Sequence, residues 1–312
     1  MSDQPILSER LELPDGAQCV LNIHLPRGAA HWVALLLPAM GTPVAFYQPF
    51  ARALAAAGHV VVCADLRGQG QSSERAALGH RFGYRELLTL DLPALQGWIH
   101  QRYPELPLAV VGHSLGAQML CLALESGLLR AEAFVSIAAG TAWRRNWRGL
   151  GGVAYSALIG VIGLVNRWLP WYPGSLLGFG GDQPREFMRD WLENARRGEY
   201  LSALQPALSG YRGVRPPTLA LSIEGDAIAP PAAESDLLSR LSTWRITRHT
   251  LRGHGLRWRR HFAWARRPQA VVAALDDWLA QQPCVVRGSA STERPATERA
   301  LVAIDSEVDQ AA

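Results

Sequence analysis

Two short segments, Val33–Leu37 and Val60–Ala64, are continuously apolar, rich in β-branched residues and bounded by turn formers. Runs of that length and composition predict strands covered on both faces. Between them Phe46, Phe50 and Leu54 recur at helical spacing and the pattern stops at Gly58, which predicts a helix over 46–57 closed by a glycine. The alternation continues with a helix over 87–100, a strand over 108–111, a helix over 115–125 and a strand over 133–138. Later come a strand over 218–223, a helix over 232–241, a strand over 244–251 and a helix over 268–279. Strands separated by helices imply an α/β fold with a mostly parallel sheet and helices on both faces. The alternating residues of 19–24 predict one or two antiparallel strands at its edge.

The alternation breaks between Thr141 and Tyr211. Five of the eleven tryptophans (Trp143, Trp147, Trp168, Trp171 and Trp191) fall there, which predicts a cap or lid of mixed helices inserted between late core strands. Residues 1–140 and 212–282 then form the core. From Pro283 to Ala312 the composition turns to Ser, Thr, Glu, Arg and Ala without periodicity, and a disordered tail is expected, with a short helix near 298–304. The apolar stretch Leu150–Val165 is interrupted by glycines and is shorter than the 18 or more residues of a membrane span; a surface-lying segment stays open.

All 31 basic residues are arginine, against 27 acidic ones. They are scattered or set beside tryptophans, without the basic stripe or motif of a nucleic-acid binder. The four cysteines form no Cys-x-x-Cys pair and have no histidine spacing suited to zinc, so no metal is expected. The first residues hold acids and no apolar signal core. With the cysteine usage, this points to a reducing cytoplasm.

The chemistry concentrates at strand ends. The strand over 108–111 runs into Gly112-His113-Ser114-Leu115-Gly116, and an apolar helix starts directly after Ser114. Strand, sharp turn and helix hold a serine in a strained conformation with its hydroxyl free, and aim the Leu115 amide at a developing oxyanion. The bland alternative is a plain helix N-cap. A nucleophilic serine needs a histidine, and the histidine a carboxylate, in the order Ser, acid, His. Asp226 follows the strand over 218–223, and His254, between two glycines, follows the strand over 244–251. Glu224, His249 and His261 are the competitors: the first near the strand end, the second within a strand, the third in or near the next helix. His113 reads as a buried neighbour of the nucleophile.

With Asp65–Ser72 after the second parallel strand, the GHSLG elbow, the GDAIAP loop and the GHG loop, the chain resembles the α/β-hydrolase superfamily over residues 10–282. The resemblance implies a serine hydrolase of the esterase or lipase kind, with Ser114, Asp226 and His254 as triad and no cofactor. It departs from the usual pattern where Pro38-Ala39-Met40-Gly41 replaces the His-Gly oxyanion motif; this is similar to a bacterial branch of predicted α/β hydrolases that also carries a Phe-Tyr pair, here Phe46 and Tyr47. Met40 then supplies the second oxyanion amide. The expected reaction is cleavage of a small carboxylic ester or thioester through an acyl-enzyme. An acyltransferase with the same triad and a non-catalytic binding member of the fold are the alternatives. Trp143, Trp147 and Phe46 are the candidate substrate contacts, and the Trp/Arg-rich cap is a candidate peripheral membrane contact. Oligomeric state is not legible.

Overall fold

The computed structural model describes residues 6–200, 215–241, 245–253 and 257–283; the expected tail and His254 lie outside them. Every position of β3 (Val33–Leu37) and β4 (Val60–Ala64) is buried, as the unbroken apolar runs require. β5 (Leu108–His113), β6 (Ala133–Ile137), β9 (Thr218–Ile223) and β10 (Ile246–Leu251) run parallel to them, while β1 (Leu7–Glu12) and β2 (Gln18–His24) are antiparallel. The eight strands lie in the order β1-β2-β4-β3-β5-β6-β9-β10.

Helices cover both faces, so the sheet separates two cores. On one side α1 (Gln48–Ala56), α7 (Arg257–Arg266) and α8 (Gln269–Leu279) bury Phe50, Leu54, Trp264, Val271 and Leu275. On the other, α2 (Leu92–Arg102), α3 (Leu115–Glu125) and α6 (Pro231–Ser239) bury Leu95, Ile99, Leu120 and Leu237. The chain leaves β3 towards β4 on one side and later returns to β5 on the other. That reversal opens a crevice at the carboxyl ends of β3 and β5, the place where open α/β sheets bind ligands.

Between β6 and β9 the structure holds α4 (Gly149–Trp168), a two-stranded ribbon of β7 (Trp171–Pro173) and β8 (Asp182–Pro184), and α5 (Arg185–Arg197). The insertion is thus not made of helices alone. The stretch Leu150–Val165 is part of a longer element than its own length implied: α4 has 20 residues, and an 18-residue stretch of it has a mean hydropathy of 1.6 with only 17% of its residues buried, long and apolar enough by length and composition to cross a membrane.

The insertion is fastened to the core by Asp190 of α5, whose Oδ2 accepts the Tyr84 amide at 2.9 Å. Burial pushes this carboxyl up to about 6; the Tyr84 bond and Arg189 oppose the shift, and Glu86 and Glu193 add to it. The folded state therefore holds the Asp190 proton more tightly than the unfolded chain, where the ordinary value is 3.8. The stability this contributes is fully present below about pH 4 and is lost as pH rises through about 6. Asp190→Asn keeps an acceptor for Tyr84 and removes the buried charge. It is expected to stabilise the protein by about 1–3 kcal/mol at pH 8 and by nothing at pH 4, as read from denaturation midpoints at the two pH values.

Candidate active site

The backbone at Ser114 has φ 52° and ψ −115°, one of two positive-φ residues other than glycine among those described. Such a conformation costs a few kcal/mol at most and persists only where its surroundings enforce it. They do so here: the Ser114 amide donates to Ile137 O at 3.1 Å, and its carbonyl accepts from Ala117 and Gln118 at 3.1 and 3.2 Å. The flanking glycines are required by contact. A Cβ on Gly112 would stand 2.3 Å from Ala117 N, and one on Gly116 would stand 2.4 Å from Leu37 O. The G-x-S-x-G spacing is therefore the space needed for a helix to start against its own strand and the strand beside it.

Leu115 opens α3, so its amide has no intrahelical acceptor. Met40 lies in the turn after β3, where the Thr42 amide returns to Ala39 O at 3.1 Å. Among the described residues neither the Leu115 nor the Met40 amide is engaged by a backbone or side-chain acceptor. The turn is held from behind: the Tyr47 hydroxyl bridges the Ala39 amide at 3.0 Å and His113 Nδ1 at 2.7 Å, tying the β3 turn to the elbow. His113 is buried, and burial, followed by its neighbour His261, pushes its pKa far down, so its ring is neutral. On the other side Gly41, at φ +70°, meets the insertion; a Cβ there would stand 2.4 Å from Gly180 C and 2.5 Å from Gly181 N.

Asp226 sits in the turn after β9. Its Oδ1 accepts the Ile228 and Ala229 amides at 2.8 and 3.2 Å, and its Oδ2 pairs with His261 Nδ1 at 2.7 Å. Both side chains of the pair are 1% exposed. This differs from the expectation that the base follows β10 directly. The imidazole on Asp226 comes from α7, one turn into a helix whose Trp264 and Ala265 are buried beside it. The sequence points to His254 because its loop and flanking glycines match the position of such a base. The competing signal is His261, Trp264 and Ala265 at i, i+3 and i+4 in an arginine-rich run, an inward helix face carrying one histidine. Of the other competitors, Glu224 and His249 are exposed.

Ser114, Leu115, Met40 and His261 all line one cavity of about 800 Å³. Its walls are mainly apolar, with Phe46, Phe262 and Ile228 from the core side and Trp147, Tyr155, Leu158, Phe179 and Trp191 from the insertion. Phe46 and Trp147 thus both line the cavity that holds Ser114. Trp147 stacks on Tyr155 at 4.0 Å, and its Nε1 donates to Ala227 O, beside Asp226, at 3.1 Å. Trp143 is not among the lining residues; it packs over Gly198, where a Cβ would stand 2.7 Å from its ring, and carries the Arg145 guanidinium at 5.3 Å.

Sheet order, elbow and crevice define an α/β-hydrolase fold. The family model described as serine aminopeptidase, S33, matches residues 28–176, from just before β3 into the insertion. The structure is similar to a carboxyl esterase from Bacillus coagulans (TM-score 0.62, 11% identity, covering 90% of this chain and 99% of that one). It is equally similar to a lipase in its open form (0.62, 15%, 89% and 99%), and less so to epoxide hydrolase A from Mycobacterium thermoresistibile (0.57, 19%, 89% and 99%). No curated protein matches the chain in sequence.

Proposed function

We propose that this chain is a serine hydrolase that cleaves carboxylic esters, thioesters included, through an acyl-enzyme on Ser114. The observation that carries the reading is the convergence on one cavity of a serine in an enforced positive-φ turn and a histidine whose far nitrogen is fixed by a buried carboxylate. In the proposed mechanism His261, not His254, removes the Ser114 proton, and Asp226 accepts Nδ1–H, holding the ring in the tautomer whose Nε2 is free to act as base. The alkoxide attacks the ester carbonyl, and the Leu115 and Met40 amides receive the charge that develops on its oxygen. His261 then protonates the leaving group, and water, deprotonated by the same ring, releases the acid. The insertion acts as a cap, since it supplies about one third of the residues that line the cavity and suits an apolar acyl or alkyl part.

A fluorophosphonate probe tests the nucleophile. The wild type is expected to take one label per chain and Ser114→Ala none, with hydrolysis of a p-nitrophenyl ester lost in parallel. An unlabelled wild type, or a labelled alanine variant, overturns the assignment of Ser114.

A further inference from the structure

Helix α4 buries only Ile159, Ile162 and Asn166, a single stripe turned towards the protein. The opposite side is apolar too: Leu150 is 89% exposed, Val153 68%, Val161 55%, Leu164 60% and Trp168 73%. These residues recur at the 3–4-residue spacing of one helix face and form a continuous ridge along the outside of the insertion. Leu176, 85% exposed, lies shortly after the helix. A contiguous apolar face of this kind marks a surface that meets an apolar partner. The helix is also fastened to the protein at both ends: Tyr155 donates to Ala142 O at 2.8 Å, Asn166 Nδ2 to Arg185 O at 3.1 Å, and the Arg185 guanidinium to Leu169 O at 2.7 Å. A helix anchored in this way lies along a boundary rather than across it.

The charges around the ridge say what that partner is. Arg144, Arg145 and Arg148 are exposed just before its start and Arg167 lies at its end. Along its flank, a cleft of about 780 Å³ between α4 and α5 is lined by six arginines, among them Arg167, Arg189 and Arg196, against two carboxylates, Glu186 and Glu193. Glu186 is paired with Arg81 at 2.5 Å, and Glu193 lies 3.6 Å from Arg197. Arg167 and Arg196 have no carboxylate within ion-pair distance among the described residues. Gly160 and Gly163 belong to the helix wall of the cleft, and at Gly163 the Arg196 guanidinium sits so close to the helix that a Cβ there would collide with its Nη2. Asn166 Oδ1, a buried acceptor without a hydrogen-bond partner, lies in the same wall. An apolar ridge bordered by arginines is complementary to acyl chains bordered by phosphates.

We infer that α4 is a docking surface for an anionic lipid bilayer, its ridge of Leu150, Val153, Val161, Leu164 and Trp168 lying among the acyl chains and the arginine cleft beside it taking lipid phosphates. The same helix puts Tyr155 and Leu158 into the wall of the Ser114 cavity. Taken with the proposed ester hydrolase activity, on which this last step rests, docking sets the cavity against the bilayer, and the substrates are esters that partition into it.

Flotation of the full chain with lipid vesicles tests the inference. The wild type is expected to float with vesicles of phosphatidylcholine containing about one-third phosphatidylglycerol, to bind pure phosphatidylcholine at least about tenfold less, and to be released by about 1 M salt. Val153→Asp with Val161→Asp, neither of which lines the catalytic cavity, is expected to abolish flotation while fluorophosphonate labelling in solution is unchanged. Arg167→Glu with Arg196→Glu is expected to weaken binding to anionic vesicles about thirtyfold or more and to leave the phosphatidylcholine baseline alone. Flotation indifferent to both pairs of substitutions overturns the proposal. So does a lipid-free dimer that Val153→Asp with Val161→Asp turns into a monomer, which would make a second copy of the chain the partner. Binding is also measured with Ser114→Ala, whose flotation is expected to match the wild type. A failure of the hydrolase reading therefore appears in labelling, and a failure of docking appears in flotation.

Discussion

His261→Ala is expected to lower kcat/KM for an activated ester about 10⁴-fold or more, and His254→Ala to leave it within about tenfold. The asymmetry follows from the carboxylate. A histidine acts as base to a serine only if its other nitrogen is held as a donor and its positive charge is stabilised during the reaction. Asp226 has two oxygens, and both are committed: one to the Ile228 and Ala229 amides, the other to His261 Nδ1. Removing His261 also strands a buried carboxylate, which alone costs about 3–5 kcal/mol, so loss of activity must be separated from loss of fold. Thermal unfolding of the variant gives the second, and the pH profile of its residual rate gives the first. A missing base removes the acid limb of kcat/KM, which loosened packing leaves in place. A collapse of activity on replacing His254, with His261→Ala active, reverses the assignment.

Asp226→Asn is expected to lower kcat by about 10⁴-fold with little change in the fold. The amide oxygen can still accept the two backbone N–H groups, so the turn after β9 keeps its shape. The group facing His261 becomes an NH₂ donor, and Nδ1 must then be the acceptor. The ring proton moves to Nε2, the nitrogen that has to receive the serine proton, and the base is lost by tautomer rather than by position. Steady-state kinetics beside near-ultraviolet circular dichroism check this. An Asp226→Asn enzyme within tenfold of wild type, with Glu224→Gln inactive, would move the acid two residues upstream.

The inner parallel strands, β3 to β6 and β9, were legible because each is buried on both faces and so is written as an unbroken apolar run; β3 and β4 begin and end where that run does. Ser114 and Asp226 were legible for a related reason, since each comes only a few residues after such a run. The histidine was not. Its position depends on how far the chain travels after an exposed edge strand: β10 ends at Leu251 as expected, but it is exposed or half-buried at every position, and its pattern does not fix the path of the chain beyond it. The insertion was visible as a break in the alternation and as a concentration of tryptophan, but Trp143 and Trp147, four residues apart and alike in composition, have different neighbours. Only Trp147 turns towards Ala227 and the cavity. Nor did the glycines within Leu150–Val165 stop the helix; several of them face open space or an arginine instead.

The contact between Gly41 and the Gly180–Gly181 backbone has a bearing on how this scaffold can change. Main chain rests directly on main chain there, with no side chain between to act as a cushion. Ser114, His261 and Asp226, the proposed nucleophile, base and carboxylate, are all carried by the core. The Met40 amide belongs to the turn on which the insertion presses. Replacing the insertion is therefore expected to disturb the turn that carries Met40 more than the strand ends that carry Ser114 and Asp226. An insertion that leaves the Met40 turn in place has to bring its main chain as close to Gly41 as Gly180 and Gly181 do here.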